Sequence, residues 1–347
     1  MKIKSIKTYM RAAVIVLLTA SVVSAQNYVS DVSKRGTTAA PFLSIGQGAK
    51  ATAMGSAFVA ISDDASAMYW NPAGITKNQG LSVIFDHTEW FADLKYNYVA
   101  AAYNLGDMGS IGLSLISSDY GEMKVTTVDK PNGTGEVFSV NDFAFSLAYA
   151  INLTDNFSIG LSPKVISQSI WKMNAVGFAV DLGVQYVTPF DGAVLAMSIT
   201  NFGSKMQMSG TNANIIVDLD PDNDGTDNKT PAALSMDQWA LPVNFRVGVA
   251  YQPIKMDMHK LTLSVEAMHP NDNYESVNVG GEYGFNNFLF IRGGYKSIFQ
   301  KDSEEGYTLG FGLRQNLIGS VALMADYAYQ DFGRLGDIQK FTIGINF

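Results

Sequence analysis

From residue 80 to the end, the sequence alternates large apolar side chains with small or polar ones. Each alternating stretch lasts about ten residues and ends at Gly, Asn, Asp or Pro. A repeat of two residues is the period of a β-strand whose two faces meet different surroundings. Fourteen segments fit the pattern, at residues 81–89, 95–105, 109–118, 139–151, 156–169, 175–187, 193–200, 242–251, 259–268, 276–283, 287–296, 306–315, 320–330 and 339–347.

The connections between these strands differ in length in a regular way. Short ones occur at every second position, and the two longest, at 119–138 and 201–241, fall at the other positions. Outer-membrane barrels have an even number of strands and alternate short periplasmic turns with longer outer loops. We therefore predict an all-β fold, in which residues 80–347 form a fourteen-stranded antiparallel transmembrane β-barrel with both termini periplasmic. A soluble β-sandwich is the alternative, but its loop lengths need not alternate.

The first residues indicate export. Four basic residues precede an apolar run at 12–23, which ends in Val23-Ser24-Ala25. This is the pattern of a signal peptide, and about 12 to 14 apolar residues are too few to cross a bilayer as a helix. We predict that residues 1–25 are cleaved and that the protein resides in the outer membrane of a Gram-negative-type bacterium.

Charge and composition exclude several classes of protein. Without residues 1–25 the chain has 20 basic and 32 acidic residues, a net charge of −12. This charge argues against nucleic acid as a partner. The chain has no cysteine, so it has no disulfide and no lipid anchor through cysteine. Its three histidines lack metal-ligand spacing, and no Ser-His-acid arrangement can be built on neighbouring strand positions. We predict that the chain is not an enzyme.

Ionisable residues occur near the middle of several predicted strands. An Arg or Lys that faces lipid at mid-depth costs about 2–4 kcal/mol, so such residues should face the lumen. Their mixed signs favour a network of salt bridges and hydrogen bonds over a selectivity ring of one sign. The predicted lumen-facing residues are Lys164, Asp181, Arg246, Glu266, Glu282, Arg292, Arg314 and Asp326.

Residues 36–78 differ from the rest, because they are rich in Ala, Gly and Ser and lack strand alternation over most of their length. Short helices are predicted at 49–54 and at 63–69, and the sequence Asn-Pro-Ala-Gly at 71–74 ends the second. About forty residues are too few for a separate domain. We expect residues 26–79 to form a partly helical plug, or hatch, inside a barrel that would otherwise hold a water-filled channel.

Five runs in this region carry a family resemblance. They are Ala39-Ala40-Pro41-Phe42-Leu43-Ser44-Ile45-Gly46, Gly48-Ala49-Lys50-Ala51-Thr52-Ala53-Met54-Gly55, Ala57-Phe58-Val59-Ala60, Asp63-Asp64 and Tyr69-Trp70-Asn71-Pro72-Ala73-Gly74. These runs resemble the PorV/PorQ family of type IX secretion outer-membrane proteins, which is similar to the FadL-type long-chain fatty-acid transporters. The resemblance implies a fourteen-stranded barrel with an N-terminal hatch, and it marks Asp63, Asp64, Asn71, Pro72, Ala73 and Gly74 as the hatch motif.

The resemblance implies two alternative functions. The first is a secretion component, which receives cargo proteins with C-terminal sorting domains from a translocon and passes them to a surface attachment complex. The second is a FadL-like channel for the uptake of hydrophobic small molecules. The motifs are closer to the secretion family, which we favour. Partners would be outer-membrane lipid together with translocon and cargo proteins, or a hydrophobic small molecule.

One outer loop has an acidic run. Carboxylates alternate there as at the start of an EF-hand loop, but Pro231 stands where the bidentate glutamate would be. The two interpretations are a weak Ca²⁺ site and a solvated acidic loop tip, and no other cofactor is predicted. The candidate ligands are Asp220, Asp222, Asp224 and Asp227.

Overall fold

A computed structural model describes residues 33–190, 192–219, 222, 229–317 and 321–347. The predicted signal peptide lies outside these residues. Fourteen long strands follow one another in an up-and-down order. They are β1 (Leu81–Glu89), β2 (Lys95–Asn104), β3 (Ser110–Asp119), β4 (Val137–Thr154), β5 (Phe157–Ile170), β6 (Met173–Val187), β7 (Val194–Gly203), β8 (Asn244–Lys255), β9 (His259–Pro270), β10 (Ser276–Phe285), β11 (Leu289–Ile298), β12 (Tyr307–Asn316), β13 (Ala322–Asp331) and β14 (Asp337–Asn346).

The sheet closes on itself. Each strand pairs antiparallel with the next, and β1 pairs with β14 through partners such as Phe85 and Ile343. Closure removes the unpaired edges that an open sheet would expose. This confirms the predicted fourteen-stranded antiparallel barrel, and the predicted strand limits differ from the observed ones by at most four residues.

The two faces of the barrel differ as the alternation requires. Large apolar side chains on the outer face are exposed, for example Leu147 at 52 %, Phe178 at 62 % and Ile291 at 56 %. A band of exposed apolar side chains is the surface that a barrel presents to lipid. The inner face holds mainly Ala, Gly, Ser, Thr and charged residues, which are buried.

The two ends of the barrel also differ. The connections that follow even-numbered strands are short, whereas the three longest, at 120–136, 204–243 and 299–306, follow odd-numbered strands and lie at the opposite end. We call these the short-turn end and the long-loop end. Short strands stiffen the long loops: Glu122–Lys124 pairs with β4, Met206–Gln207 with Gln238–Trp239, Ser209–Gly210 with β6, and Asn214–Asp218 with Lys229–Ala233.

Before β1, the chain forms short helical pieces: the 3₁₀-helices Pro41–Ser44 and Pro72–Lys77 and the α-helices α1 (Ala49–Ala53) and α2 (Ala67–Trp70). Further 3₁₀-turns lie in connections, at Phe91–Asp93, Gly106–Met108, Thr211–Ala213 and Gly333–Leu335. Within the part of the chain that the structure describes, none of the helices has the length and apolar character to cross a membrane.

One helix prediction needs correction, and another needs an addition. The second helix begins at Ala67 and not at 63, because Asp64 accepts hydrogen bonds from the Ser66 amide (2.8 Å) and hydroxyl (2.5 Å) and so forms a turn. The Asn-Pro-Ala-Gly sequence ends α2 but also starts a new 3₁₀-helix, for which the Asn71 side chain is the N-cap. A proline at the first helical position is compatible with this role.

Candidate functional site: the packed lumen

Residues 40–79, which we call the lumen segment, run around the inner wall of the barrel. Polar contacts join the segment in order to β14 and β1, to β12, to β9, to β6 and finally to β2. Its largest side chains are buried, and Phe42, Phe58 and Trp70 are at most 1 % exposed. The segment therefore contacts strands around the whole circumference. It does so on the inner side of the wall, opposite the exposed apolar side chains.

Glycines on the inner wall make room for this segment. At seven of them, an added Cβ would lie 2.0–2.7 Å from the nearest atom of the segment or of the adjoining strand. Contacts shorter than 3.0 Å are essentially never made by real Cβ atoms. The wall is thus shaped for close approach of the segment, and at Gly160, Gly280 and Gly294 the nearest atoms belong to the segment's backbone. The seven are Gly112, Gly160, Gly183, Gly248, Gly280, Gly294 and Gly310.

Acidic side chains of the wall bind backbone amides of the segment. Glu266 accepts hydrogen bonds from the Phe58 and Val59 amides at 2.9 and 2.8 Å, and Asp86 accepts one from the Gly48 amide at 2.9 Å. An irregular segment buried away from water needs such partners for its amides and carbonyls. Asp86 is not among the predicted lumen-facing residues, although its position on the inward side of β1 was a usable signal.

Other wall residues complete this set. The Thr308 hydroxyl accepts from the Gly55 amide and donates to the Ala53 carbonyl, both at 2.9 Å. The Thr342 hydroxyl accepts from the Ala49 amide at 2.7 Å, and Lys340 donates to the Gly46 carbonyl. Neutral hydroxyls on strands carried no sequence signal that distinguishes them from ordinary lumen residues.

The structure places seven of the eight predicted lumen-facing residues in three ionic groups. Arg292 lies 2.6 Å from Glu282 and 2.5 Å from Asp326, Lys164 lies 2.6 Å from Asp181, and Arg246 lies 3.5 Å from Glu266. The groups combine both signs, so none of them is a ring of one charge. Arg314, in contrast, is exposed near the short-turn end of β12.

Arg246 joins the wall to α2. Its guanidinium lies 5.5 Å from the centre of the Tyr69 ring and 5.2 Å from that of Trp70, a cation–π arrangement. The Trp70 indole in turn donates to the Gln47 carbonyl at 2.8 Å, and the Tyr69 hydroxyl donates to the Leu43 carbonyl at 3.0 Å. The guanidinium thus has an acid on one side and aromatic faces on the other.

The Asn-Pro-Ala-Gly motif meets the wall at β5 and β6. The Asn71 amide group donates to the Val59 and Val184 carbonyls, each at 3.1 Å, and its oxygen accepts from the Ala73 amide at 3.1 Å. A Cβ on Gly74 would lie 2.3 Å from the Ser62 carbonyl oxygen, so only glycine fits there. The motif therefore fastens two parts of the segment to each other and to the wall.

Replacing Asn71 with alanine removes these three hydrogen bonds and leaves two buried carbonyls without that donor. We expect a loss of about 1–3 kcal/mol in the free energy of unfolding. Urea titration of the barrel refolded into lipid vesicles measures it. The control is Asn141→Ala, at an exposed position of β4, for which we expect a change within about 0.5 kcal/mol. Equal stability of the two variants would contradict this role of Asn71.

The two acids of the predicted hatch motif have different partners. Asp63 lies 2.7 Å from Lys50, whose ammonium is also 5.7 Å from the centre of the Phe58 ring. Burial would lower the pKa of Lys50, but the nearby Asp63 raises it above its ordinary value. Burial likewise opposes ionisation of Asp63, yet Lys50 holds the pKa of that carboxyl below its ordinary value. Burial raises the pKa of Asp64.

For the calcium hypothesis, Asp222 is exposed in a turn, whereas Asp220, Asp224 and Asp227 lie outside the described residues. Elsewhere in the described part of the chain, no group of three or more His, Asp or Glu residues is placed to hold a metal ion.

A cavity of about 190 Å³ lies at the long-loop end, beside residues 36–39, which directly precede the lumen segment. Met206, Met208 and Trp239 contribute its large apolar side chains, and the side-chain oxygen of Gln168 accepts a hydrogen bond from the Ala40 amide at 2.9 Å. Sequence analysis gave no signal for it, because its walls come from four separate regions. They are Gly36, Thr38 and Ala39, then Gln168 and Ala175, then Met206 and Met208, then Trp239.

A closed fourteen-stranded barrel with an apolar outer band and a polar, occupied interior defines the class of outer-membrane β-barrels. The model of a known family, the type IX secretion system protein PorV, matches residues 29–269, more than half of the chain. The chain belongs to the PorV family. No curated protein sequence is significantly similar to it.

Solved structures agree on the fold. The monoaromatic hydrocarbon channel CymD is 13 % identical with a TM-score of 0.54, and covers 86 % of this chain and 96 % of its own. The toluene transporter TbuX of Ralstonia pickettii is 12 % identical with a TM-score of 0.54, covering 86 % and 97 %. A FadL homologue of Pseudomonas aeruginosa is 12 % identical with a TM-score of 0.51, covering 87 % and 97 %. The family and these neighbours are secretion and transport proteins.

Proposed function

We propose that this barrel is a component of a type IX secretion system, which handles cargo proteins with C-terminal sorting domains at the cell surface. Membership of the PorV family supports the assignment to a type IX secretion system. The lumen segment supports the proposal that cargo does not pass through the barrel. Because that segment contacts the wall from β1 to β14, a folded cargo protein has no room to pass through the barrel. Cargo is then handled at the end of the barrel that faces the outside of the cell, while the lumen segment, residues 40–79, acts as its plug.

The two ends of the barrel have different roles in this proposal. Short turns of outer-membrane barrels face the periplasm and longer loops face outside, so the long-loop end is the surface that cargo meets. The C-terminal residue belongs to the short-turn end, where the Phe347 amide donates to the Leu81 carbonyl at 2.8 Å. The largest excursion, 204–243, then lies on the outside.

Deleting the gene tests this proposal. We expect proteins with C-terminal sorting domains to disappear from the cell surface and culture fluid and to accumulate in the periplasm. Quantitative proteomics of the three fractions is the measurement, and re-expression of the wild-type chain should restore the distribution. Wild-type amounts of these proteins at the surface of the deletion strain would refute the proposal.

Uptake of a small hydrophobic molecule is the second candidate, because the cavity at the long-loop end has large apolar side chains in its lining and has room for such a molecule. An apolar cavity of about 150 Å³ accepts benzene in another protein, and this cavity measures about 190 Å³. Ala175→Trp would fill it from β6. If uptake is the function, this variant should accumulate radiolabelled toluene more slowly than the wild type. If secretion is the function, the variant should leave the surface proteome unchanged.

A further inference from the structure

The first residues of the N-terminal region are held at the long-loop end. Arg35 donates from Nε to the Asn273 side chain at 3.0 Å, and the Thr38 hydroxyl donates to Asp272 at 3.0 Å. Both partners lie in the connection between β9 and β10, which follows an odd-numbered strand. These contacts place residues 35–38 beside the loops and away from the short turns.

A second loop binds the same residues. Thr38 forms a parallel β-bridge with Ala240, and the Ala39 amide donates to the Ala240 carbonyl at 2.8 Å. Ala240 follows Gln238–Trp239, which pairs with Met206–Gln207. The chain thus joins a small sheet made by the 204–243 excursion. Two separate loops at one end of the barrel therefore fix the position of residues 35–39.

The lumen segment leaves the barrel at the other end. The Asn104 side chain, at the end of β2, donates to the Asn78 carbonyl at 2.8 Å, and its backbone amide donates to the Gly80 carbonyl at 3.1 Å. A Cβ on Gly80 would lie 2.2 Å from the Phe347 carbonyl oxygen. Gly80 and the C-terminal residue therefore share the short-turn end, opposite to Arg35.

We infer that the chain enters the lumen from the outside of the cell and passes through it toward the periplasm. Residues 35–38 are then part of the outer surface, next to the 204–243 excursion. This differs from the expectation that the N-terminal side of the mature chain is periplasmic. The inference depends on which end carries the long loops and is independent of whether the barrel serves secretion or uptake.

Single cysteines test this inference without background, because the natural chain contains none. Thr37 is exposed beside Thr38, Asp129 is exposed in the 120–136 loop, and Asp107 is exposed in the turn after β2. Intact cells that express Thr37→Cys, Asp129→Cys or Asp107→Cys are treated with a membrane-impermeant maleimide, and the labelled barrel is compared with that from lysed cells.

We expect Thr37→Cys and Asp129→Cys to be labelled in intact cells at least about tenfold more strongly than Asp107→Cys, since short turns face the periplasm. Labelling of Thr37→Cys only after lysis, as for Asp107→Cys, would overturn the inference. A change of gel migration on heating verifies that each variant folds. Should Thr37→Cys not fold, Arg35→Cys, two residues earlier in the chain, gives the same readout.

Discussion

Replacing Gly280 with valine should displace the lumen segment and open the barrel. Gly280 lies on the inner face of β10, where a Cβ would be 2.1 Å from the Met54 carbonyl oxygen and 2.9 Å from the Met54 Cβ. The obstacle is mainly backbone, which cannot move away as the end of a flexible side chain can. Overpacking of this kind costs about 1–3 kcal/mol or more. We expect lower stability in urea and new current steps when the purified variant is inserted into a planar lipid bilayer.

The neighbouring Gly281 provides the matched control. Its Cβ would point to the outer face, where the nearest atom is the Leu263 Cδ2 at 3.4 Å, an ordinary contact. Gly281→Val adds the same side chain to the same strand and should leave both stability and current unchanged. Indistinguishable behaviour of the two variants would mean that the lumen segment does not press against β10 as described.

Replacing Glu266 with alanine should have the largest effect on stability. This carboxylate is fully buried, binds the Phe58 and Val59 amides at 2.9 and 2.8 Å, and faces Arg246 at 3.5 Å. Its removal leaves two amides without an acceptor and Arg246, only 4 % exposed, without its acid. Breaking one partner of a buried ion pair costs about 3–5 kcal/mol.

Two further variants separate the contributions of Glu266. Glu266→Gln keeps an oxygen that can accept from the amides and removes only the charge, so we expect a smaller loss, about 1–3 kcal/mol. Adding Arg246→Met to Glu266→Gln removes the unpaired cation and should recover part of that loss. The measurement is urea unfolding in lipid vesicles. If Glu266→Ala were as stable as the wild type, the carboxylate would have no part in holding the segment.

The barrel could be predicted from sequence because its determinants are local and periodic. In β6, Val176, Phe178 and Leu182 face lipid while Gly177 and Asp181 face inward, so period two is visible within one strand. The order of long and short connections is equally readable along the chain. Pairing between neighbouring strands then leaves one consistent topology, which closure between β1 and β14 completes.

The path of the lumen segment could not be predicted in the same way. Its partners are distant in sequence, as when the Gly55 amide meets Thr308 or the Gly46 carbonyl meets Lys340. Because backbone atoms of the segment make these contacts, the residue types of the segment do not indicate where they occur. The family resemblance predicted a hatch with its Asn71 motif, but it did not predict the wall glycines that the lumen segment contacts. Inward charges such as Glu266 were identified by the cost of facing lipid, without their partners.

In the proposed secretion role, the lumen of the barrel stays closed while the protein handles its cargo. Ala53 of the lumen segment and Ala328 of β13 belong to one cluster of fully buried alanines, and the natural chain has no cysteine. Ala53→Cys combined with Ala328→Cys should allow a disulfide that ties the segment to the wall, verified by migration with and without reductant.

The decisive measurement is the amount of sorting-domain proteins at the surface of the deletion strain, expressing either this tied variant or no barrel. We expect wild-type amounts with the tied variant and none without the barrel. Wild-type amounts in the strain without the barrel would contradict the secretion role, and loss with the tied variant alone would contradict the closed lumen.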